Sequence, residues 1–495
     1  MKLIGDIAKD GEVKAIASSA ITAGAPLVVN SDGTVGAITA AATVAIGSKT
    51  TFNTADLNDL ISIFDPDTNK IILAYKDEGN SSHGSIRVAT IDPSNNSVTF
   101  GTKKVFSSAI TFKIGGVYDT NSNRLVLIYT SGPNTAKTGS VIVGTVSGTT
   151  VNFGTAVVFN NASTNEQGVG NPSITFDSNS NRVVIAYEDT GNSKYGTTRV
   201  GTVDPSDNSI SFGSEEVFIQ ADVGTMGMCF DTNKNRVILA YTNDASTRAE
   251  VIVGTVDPSD NSISFGSALV FNAVRTLNFD QGVIFDSNTN QVVIIYGDTG
   301  GSANIEALVG SVDSSDNSIT FGSIATGPGY LGAGLATAFN SDTNTIIVGH
   351  LHPSNAGGNV LVATVSGTDV SFGTPSVYNA TNYSINESIA YDSNSKRALL
   401  LVKDYGTNGN GVAYVYRTPA VTNITTENFI GLSDGVYAIG QTATIKTDGS
   451  IVSLSSLTAG QEYFVQADAS LGTTAATISV SAGTAIGSNK LIVKG

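Results

Sequence analysis

FDSNSNRVVIAYED, residues 176–189, reads as two short strands joined by a tight Asp- and Asn-rich turn. The same reading fits FDPDTNKIILAYKD from Phe64, YDTNSNRLVLIYTS from Tyr118, FDTNKNRVILAYTN from Phe230 and FDSNTNQVVIIYGD from Phe285. Weaker copies begin at Phe339 and Tyr391, so the hairpin occurs seven times at a spacing of 52–58 residues. Strand-built repeats of that length indicate a propeller or a β-solenoid. Each repeat also carries a second hairpin, as in VGTVDPSDNSISFG from Val200 and again from Val253. Two hairpins make four antiparallel strands, the size of one propeller blade. RVVIAY is apolar without alternation, as a strand covered on both faces must be, whereas SISFGS alternates as an outer strand should.

A ring of sheets has to be fastened where it begins and ends. FGTKKVF (100–106), FGTAVVF (153–159), FGSEEVF (212–218) and FGSALVF (265–271) place an aromatic five residues after a glycine. The seventh repeat lacks this element, and IGSKTTF at 46–52, ahead of the first, supplies it. The expected fold is therefore all-β: a seven-bladed propeller over 43–418, its last blade completed by the N-terminal strand. Residues 1–42 and 419–495 are expected to join as one small β domain. ITAGAPLVVNSDGTV (21–35) is echoed by LTAGQEYFVQADASL (457–471) and by GQTATIKTDGSIV (440–452), each with Asp in the place of a hairpin turn. Following strand directions, the turns of the DSNSN type share one end with both terminal segments. The varied loops, including NNASTNEQGVGNP at 160–172, lie at the other end, which is expected to do the recognising.

Composition narrows the function. The chain of 495 residues has 53 Gly, only 14% charged residues and a formal charge of −16. No Lys/Arg cluster is present in the sequence to offset that charge, so nucleic acid and anionic membranes are not expected partners. Cys229 is the single cysteine, which excludes an internal disulfide and a cysteine metal cluster. The apolar run at the N-terminus stops after Ile4, and nothing approaches the length of a membrane span, so neither a secretory signal nor membrane insertion is expected.

The turns starting at Asp65, Asp119, Asp177, Asp231, Asp286 and Asp392 match the opening of a calcium loop. They lack its glycine, with Arg182 and Arg236 at the sixth position, so the aspartates are read as bracing their own turns. His350 and His352 would share a strand face, but His350 replaces the residue that is Tyr75, Tyr129, Tyr187, Tyr241 or Tyr296 elsewhere, which points to packing. Glu188, Asp189, Asp77, Asp298 and Asp404 end second strands, where a glycosidase would hold its carboxylates. They recur as a structural position, no single repeat carries a unique acid, Tyr and Arg set, and there is no Trp for the Ser-x-Asp-x-Gly-x-x-Thr-Trp box of sialidases. The three histidines, His83 among them, form no Ser-His-Asp pattern. No catalytic, cofactor or metal residue is assigned, no cofactor is expected, and the chain is expected not to be an enzyme.

The stretch from Asn428 through Ala476, NFIGLSDGVYAIGQTATIKTDGSIVSLSSLTAGQEYFVQADASLGTTAA, with AGTAIGSNKLIVKG at 482–495, resembles a module of tailed-bacteriophage virion proteins, marine ones especially. Such modules end fibre, adhesin and capsid-decoration proteins, and the likeness extends faintly to residues 1–42. The resemblance implies a structural protein exposed on the virion after assembly in the host cytoplasm. The small β domain would dock on tail or capsid proteins, and the propeller would face host glycan or envelope. The absence of heptads departs from a long trimeric fibre, leaving tail fibre, receptor binding and capsid decoration open. The alternative is a polysaccharide hydrolase, a glycosidase or depolymerase, in the same place; a bacterial surface lectin is a third reading.

Overall fold

The computed structural model describes residues 7–8, 11–30, 32–38, 43–133, 137–160, 169–273, 282–298, 304–329, 334–351, 357–379, 384–419, 423–425, 427–466, 469–475 and 479–494. The chain divides into two compact units, Met1–Val44 with Thr418–Gly495, and Ala45–Arg417. Strands build both, and no α-helix occurs among the described residues.

In Ala45–Arg417 the architecture is propeller-like, and the third repeat shows how sequence produces it. Asp177 Oδ1 accepts the backbone N–H of Asn179 and of Ser180, each at 2.9 Å. Asn181 then turns the chain at φ 56°, a left-handed conformation that Asn tolerates well. The two flanking strands, Val169–Asp177 and Arg182–Asp189, pair Phe176 with Val183. Residues 183–187 are all buried, as a strand between two neighbouring layers requires. Tyr195–Asp204 and Ser209–Phe212 complete the unit through Val183↔Gly201 and Gly201↔Phe212. Aspartate does the same bracing at Asp65, Asp119, Asp231, Asp286 and Asp392, and Asn340 does it in the sixth repeat.

The outer edge differs from the single strand expected there. Ser97–Phe100 and Lys104–Asp119 are separate pieces that both pair with His83–Asp92, and Gly101 N–H donates to Val88 O between them. The interruption brings the edge against the next repeat. A Cβ added at Gly101 would overlap the carbonyl oxygen of Thr149, and at Gly154, Gly213 and Gly266 those of Asn208, Asn261 and Asn317. Only glycine permits that approach. The aromatic five residues on then packs onto the next repeat's tyrosine: Phe106 on Tyr129 at 5.2 Å, Phe159 on Tyr187 at 5.3 Å, Phe218 on Tyr241 at 5.1 Å.

Arginine adds a second tie. Arg182 Nε donates to Asn261 Oδ1 at 2.5 Å and its Nη2 to Pro258 O at 2.7 Å, so the inner turn of one repeat holds the outer turn of the next. Arg124 binds Asn208 and Pro205, and Arg236 binds Asn317 and Ser314, in the same way. Arg397, in the seventh repeat, binds Asn96 and Pro93 of the first.

Other contacts also join those two repeats. Thr50 pairs with Ala413, Thr51 with Val412 and Ile46 with Tyr416. A Cβ on Gly47 would meet Asn96 O, and Phe52 stacks on Tyr75 at 5.5 Å. One buried cluster draws Leu57 and Leu73 together with Leu399, Leu401 and Ala413. Six further clusters link successive repeats. A cavity of 520 Å³ is bordered by the first strand of every repeat, at Ser62, Tyr118, Phe176, Phe230, Phe285, Phe339 and Ile389.

The other unit interleaves the chain's two ends. Glu12–Ile16 pairs with Thr442–Lys446, and Pro26–Val29 with Phe429–Ser433, inside a six-stranded sheet. Ile451–Ser453, Lys490–Val493, Ser481–Gly487, Glu462–Val465 and Leu471–Gly472 form a second sheet in that order. Leu432 of the first sheet packs with Val452, Leu491 and Val493 of the second. The three related segments behave differently. Residues 26–37 make a hairpin, Val29↔Val35, and 462–472 make another, Val465↔Leu471. The copy with Asp448-Gly449 does not, because its two strands pair with Glu12–Ile16 and Lys490–Val493 instead, and the turn carries the chain between sheets. Asp468 of the third copy lies outside the described residues.

Candidate functional site

The ends of the second strands carry the acids that sequence singled out. Asp77 and Asp404 have no exposed side-chain surface, and each holds a lysine two residues beyond an edge glycine: Lys103 Nζ at 2.6 Å and Lys49 Nζ at 3.1 Å. These are neutralised structural positions. Asp298 ends its strand with its N–H donating to Asn304 O.

The third repeat breaks the pattern. Where the first has Lys103, it has Glu215, so Asp189 faces a second carboxylate. Tyr187 donates its hydroxyl to Glu215 Oε1 at 3.0 Å, and Arg199 Nη1 lies 3.9 Å from the same oxygen. Arg199 also donates to Phe159 O at 2.5 Å and to Gly213 O at 3.1 Å. Burial, with Glu215 adding to it, pushes the Asp189 carboxyl up, while its Oδ1 accepts Gly191 N–H at 3.0 Å. Burial and the Glu215 charge hold Tyr187 protonated. Asp189, Arg199 and Glu215 line a cleft of 360 Å³ that also includes Asn160 and Asn192. The acid, tyrosine and arginine of this repeat recur in the first as Asp77, Tyr75 and Arg87, so what sets the third apart is Glu215. The signal was in the sequence: FGSEEVF against FGTKKVF.

Toward the start of the first strands a second group of charges assembles. Lys76 Nζ and Lys137 Nζ lie 4.4 and 4.1 Å from the centre of the Phe112 ring. Exposed Lys113 follows, at φ 49° on the bulge that leads into the first strand of its repeat. Lys137 is almost completely buried, and burial together with the Lys113 and Lys76 charges depresses its pKa. Half-buried Asp59 is shifted up by desolvation against the pull of Lys113 and Lys76. Glu78 pairs with Lys76 at 2.9 Å and accepts from Asn58 and Ser82. Lys113 adjoins Glu188 as well, whose carboxyl is pushed up to about 7 by burial first, then by Asp222 and Asp244, against Lys194 and Lys113. Lys194 reaches Asp222 at 3.6 Å. The rim that results mixes charges: lysines with Asp59 and Glu78 in the first two repeats, and Glu188, Asp222 and Asp244 with Lys194 in the third and fourth. Of this rim sequence reasoning had only Glu188, although Lys76 occupies the equivalent place in the first repeat.

The remaining candidates are structural. The turn aspartates spend Oδ1 on two backbone N–H groups each. His350 is fully buried, with Nδ1 3.2 Å from Leu351 O, and His352 lies outside the described residues. His83 opens a third strand opposite Asp77. Burial raises the Cys229 thiol far from its ionised form. Among the described residues, no three His, Cys, Asp or Glu side chains are grouped for a metal ion.

No protein-family model matches the chain, and no curated protein matches it. Similar solved structures include a protein from Lactobacillus plantarum, at 12% identity and TM-score 0.43 over 69% of this chain and 92% of that one. A mutant NanB sialidase from Streptococcus pneumoniae is similar at 12% identity and TM-score 0.42, over 75% and 70% of the two chains. The same sialidase in complex with a substituted ethanesulfonate is similar at 11% and 0.41, over 77% and 71%. The expectation that the chain is not an enzyme is withdrawn, since solved structures of a sialidase are among those similar to it; at 11–12% identity the likeness concerns the fold alone.

Proposed function

We propose that the seven repeats close as a seven-bladed β-propeller whose charged rim binds and cleaves an anionic glycan. Contacts between the first and seventh repeats, in strand pairing, core and arginine ties alike, support the closure. One observation carries the function: Lys76 and Lys137 lie over the Phe112 ring, and the charge of the adjoining Lys113 acts on Glu188. Ammonium groups on an aromatic ring suit a sugar carboxylate or sulfate, and the ring suits a sugar face. Glu188, whose carboxyl is pushed up to about 7, serves as proton donor to a glycosidic oxygen, and Asp222 or Asp244 assists water.

The test incubates the purified chain with acidic and neutral polysaccharides and measures new reducing ends and retention on the polymer. Acidic polymers are bound and shortened; Glu188→Gln binds without cleavage, and Lys76→Ala with Lys137→Ala loses binding. Equal behaviour toward neutral polymers, or full cleavage by Glu188→Gln, overturns the reading. The resemblance of residues 419–495 to phage modules supports display on a bacteriophage virion, with the terminal β unit docking on tail or capsid proteins. Immunogold labelling of intact particles with antibody against residues 45–417 tests that placement.

A further inference from the structure

We propose that the cleft between the second and third repeats binds a divalent metal ion, calcium by its donor chemistry, where other repeats place a lysine ammonium. This is independent of the glycan rim and rests on comparing equivalent positions. In the first repeat, Asp77 is joined by Lys103, and Arg87 donates to Gly101 O at 2.7 Å. In the third, Asp189 and Arg199 take the places of Asp77 and Arg87, and Arg199 donates to Gly213 O. Formal charges are −1, +1 and +1 in the first, giving +1; they are −1, −1 and +1 in the third, giving −1. One exchange, lysine for Glu215, thus changes the same cavity by two units and removes the cation that Asp77 and Asp404 each keep.

The second observation is Asn160. It lines the cleft, is 7% exposed, and its Oδ1 is shielded from solvent with no hydrogen-bond donor. A buried amide oxygen left unpaired costs free energy that a metal ligand bond would recover. Tyr187 fixes Glu215 through Oε1, Gly191 N–H holds Asp189 Oδ1 and Arg199 occupies Phe159 O, so the donors that remain are the second carboxylate oxygens of Asp189 and Glu215 and the Asn160 amide oxygen. Two carboxylates and an amide oxygen, with water filling a cleft of 360 Å³, are hard donors in a loose arrangement. Calcium accepts this, whereas magnesium demands a tighter octahedron. So few charged donors correspond to a dissociation constant of about 10⁻⁴–10⁻³ M.

The experiment follows thermal unfolding of the full chain, first stripped with EDTA, in CaCl2, MgCl2 or NaCl at matched ionic strength, with terbium luminescence as a direct binding readout. Calcium at about tenfold the dissociation constant stabilises a site by RT ln 11, so a rise of a few degrees, saturable and weaker in MgCl2, is expected. Glu215→Lys restores the ammonium of the first repeat. It is expected to unfold in EDTA at or above the wild-type temperature and to lose both the calcium response and the terbium signal. Asn160→Ala should raise the half-saturating calcium several-fold. A wild-type chain indifferent to calcium, or a Glu215→Lys chain that keeps the full response, overturns the proposal.

Discussion

If the seventh repeat holds the first, the tie between Arg397 and Asn96 should be as strong as its counterpart inside the chain. Arg397 Nε lies 2.6 Å from Asn96 Oδ1 and Nη2 lies 3.1 Å from Pro93 O, across 301 and 304 residues of sequence. Arg182 makes the matching pair at 2.5 and 2.7 Å to Asn261 and Pro258. A hydrogen bond from a charged donor contributes about 1.5–3 kcal/mol net when buried. Both guanidiniums are half-exposed, and screening reduces that to about 1 kcal/mol for each bond, or about 2 kcal/mol for each arginine. The assay is a pair of double-mutant cycles by urea unfolding, Arg397→Ala with Asn96→Gly and Arg182→Ala with Asn261→Gly. Glycine is chosen because Asn96 and Asn261 sit at φ 54° and 58°, where alanine would add strain of its own. Each cycle should give a coupling of about 1 kcal/mol, the share belonging to the side-chain bond. A coupling near zero for Arg397–Asn96 beside a full one for Arg182–Asn261 would refute the closed ring.

Three further outcomes are expected. Gly47→Ala, which sets a methyl group against Asn96 O, should destabilise by about 1–3 kcal/mol in urea titration, although Gly47 needs no unusual φ. Lys103→Ala leaves the Asp77 carboxylate buried without its cation, and a loss of about 2–4 kcal/mol is expected in urea unfolding at pH 7. For Glu188 the folded pKa of about 7 lies above its unfolded value of 4.5, so the folded state binds the proton more tightly. Stability owed to that group is complete below pH 4.5 and is lost as pH rises toward 7. Glu188→Gln should therefore raise the unfolding temperature at pH 8 and flatten its decline between pH 5 and 8, as calorimetry can check.

How much of this was legible in the sequence turns on whether a signal was local. The DSNSN turn was, because Asp, Asn and their backbone lie within six residues, and the hydrogen bonds follow the reading. The arginine tie was written more plainly than it was read. Arg stands after that turn in the repeats of Arg124, Arg182, Arg236 and Arg397, and in each case the next repeat, taking the first as next after the seventh, has Asn in its outer turn. Lys70 and Gln291 precede repeats whose outer turns are SGTT and SGTD, and Thr345 precedes one with no such turn. The rule is visible only once circular order is assumed, so Arg182 and Arg236 served merely to argue against a calcium loop. Asp448-Gly449 shows the opposite limit: its turn chemistry is that of Asp32-Gly33, yet the strand before it is claimed by Glu12–Ile16 from the other end of the chain and the strand after it by Lys490–Val493.

The same reasoning explains why the charged places were harder to see than the scaffold. A repeat makes its scaffold obvious by copying it, and function enters where the copying fails. Glu215 against Lys103 is one such failure; Lys113, on a connecting bulge, is another. Each is silent alone, because its meaning depends on Asp189, or on Lys76 and Lys137, being near, which only the packed repeats decide. The scaffold tolerates both changes at small cost, since the buried strands and the glycine contacts that bind one repeat to the next lie elsewhere. That separation leads to a sharp contrast between two substitutions of similar size. Glu215→Lys should leave the ring at least as stable and remove a ligand response, whereas Gly101→Ala, which sets a methyl against Thr149 O, should weaken the ring and leave the charged groups unchanged.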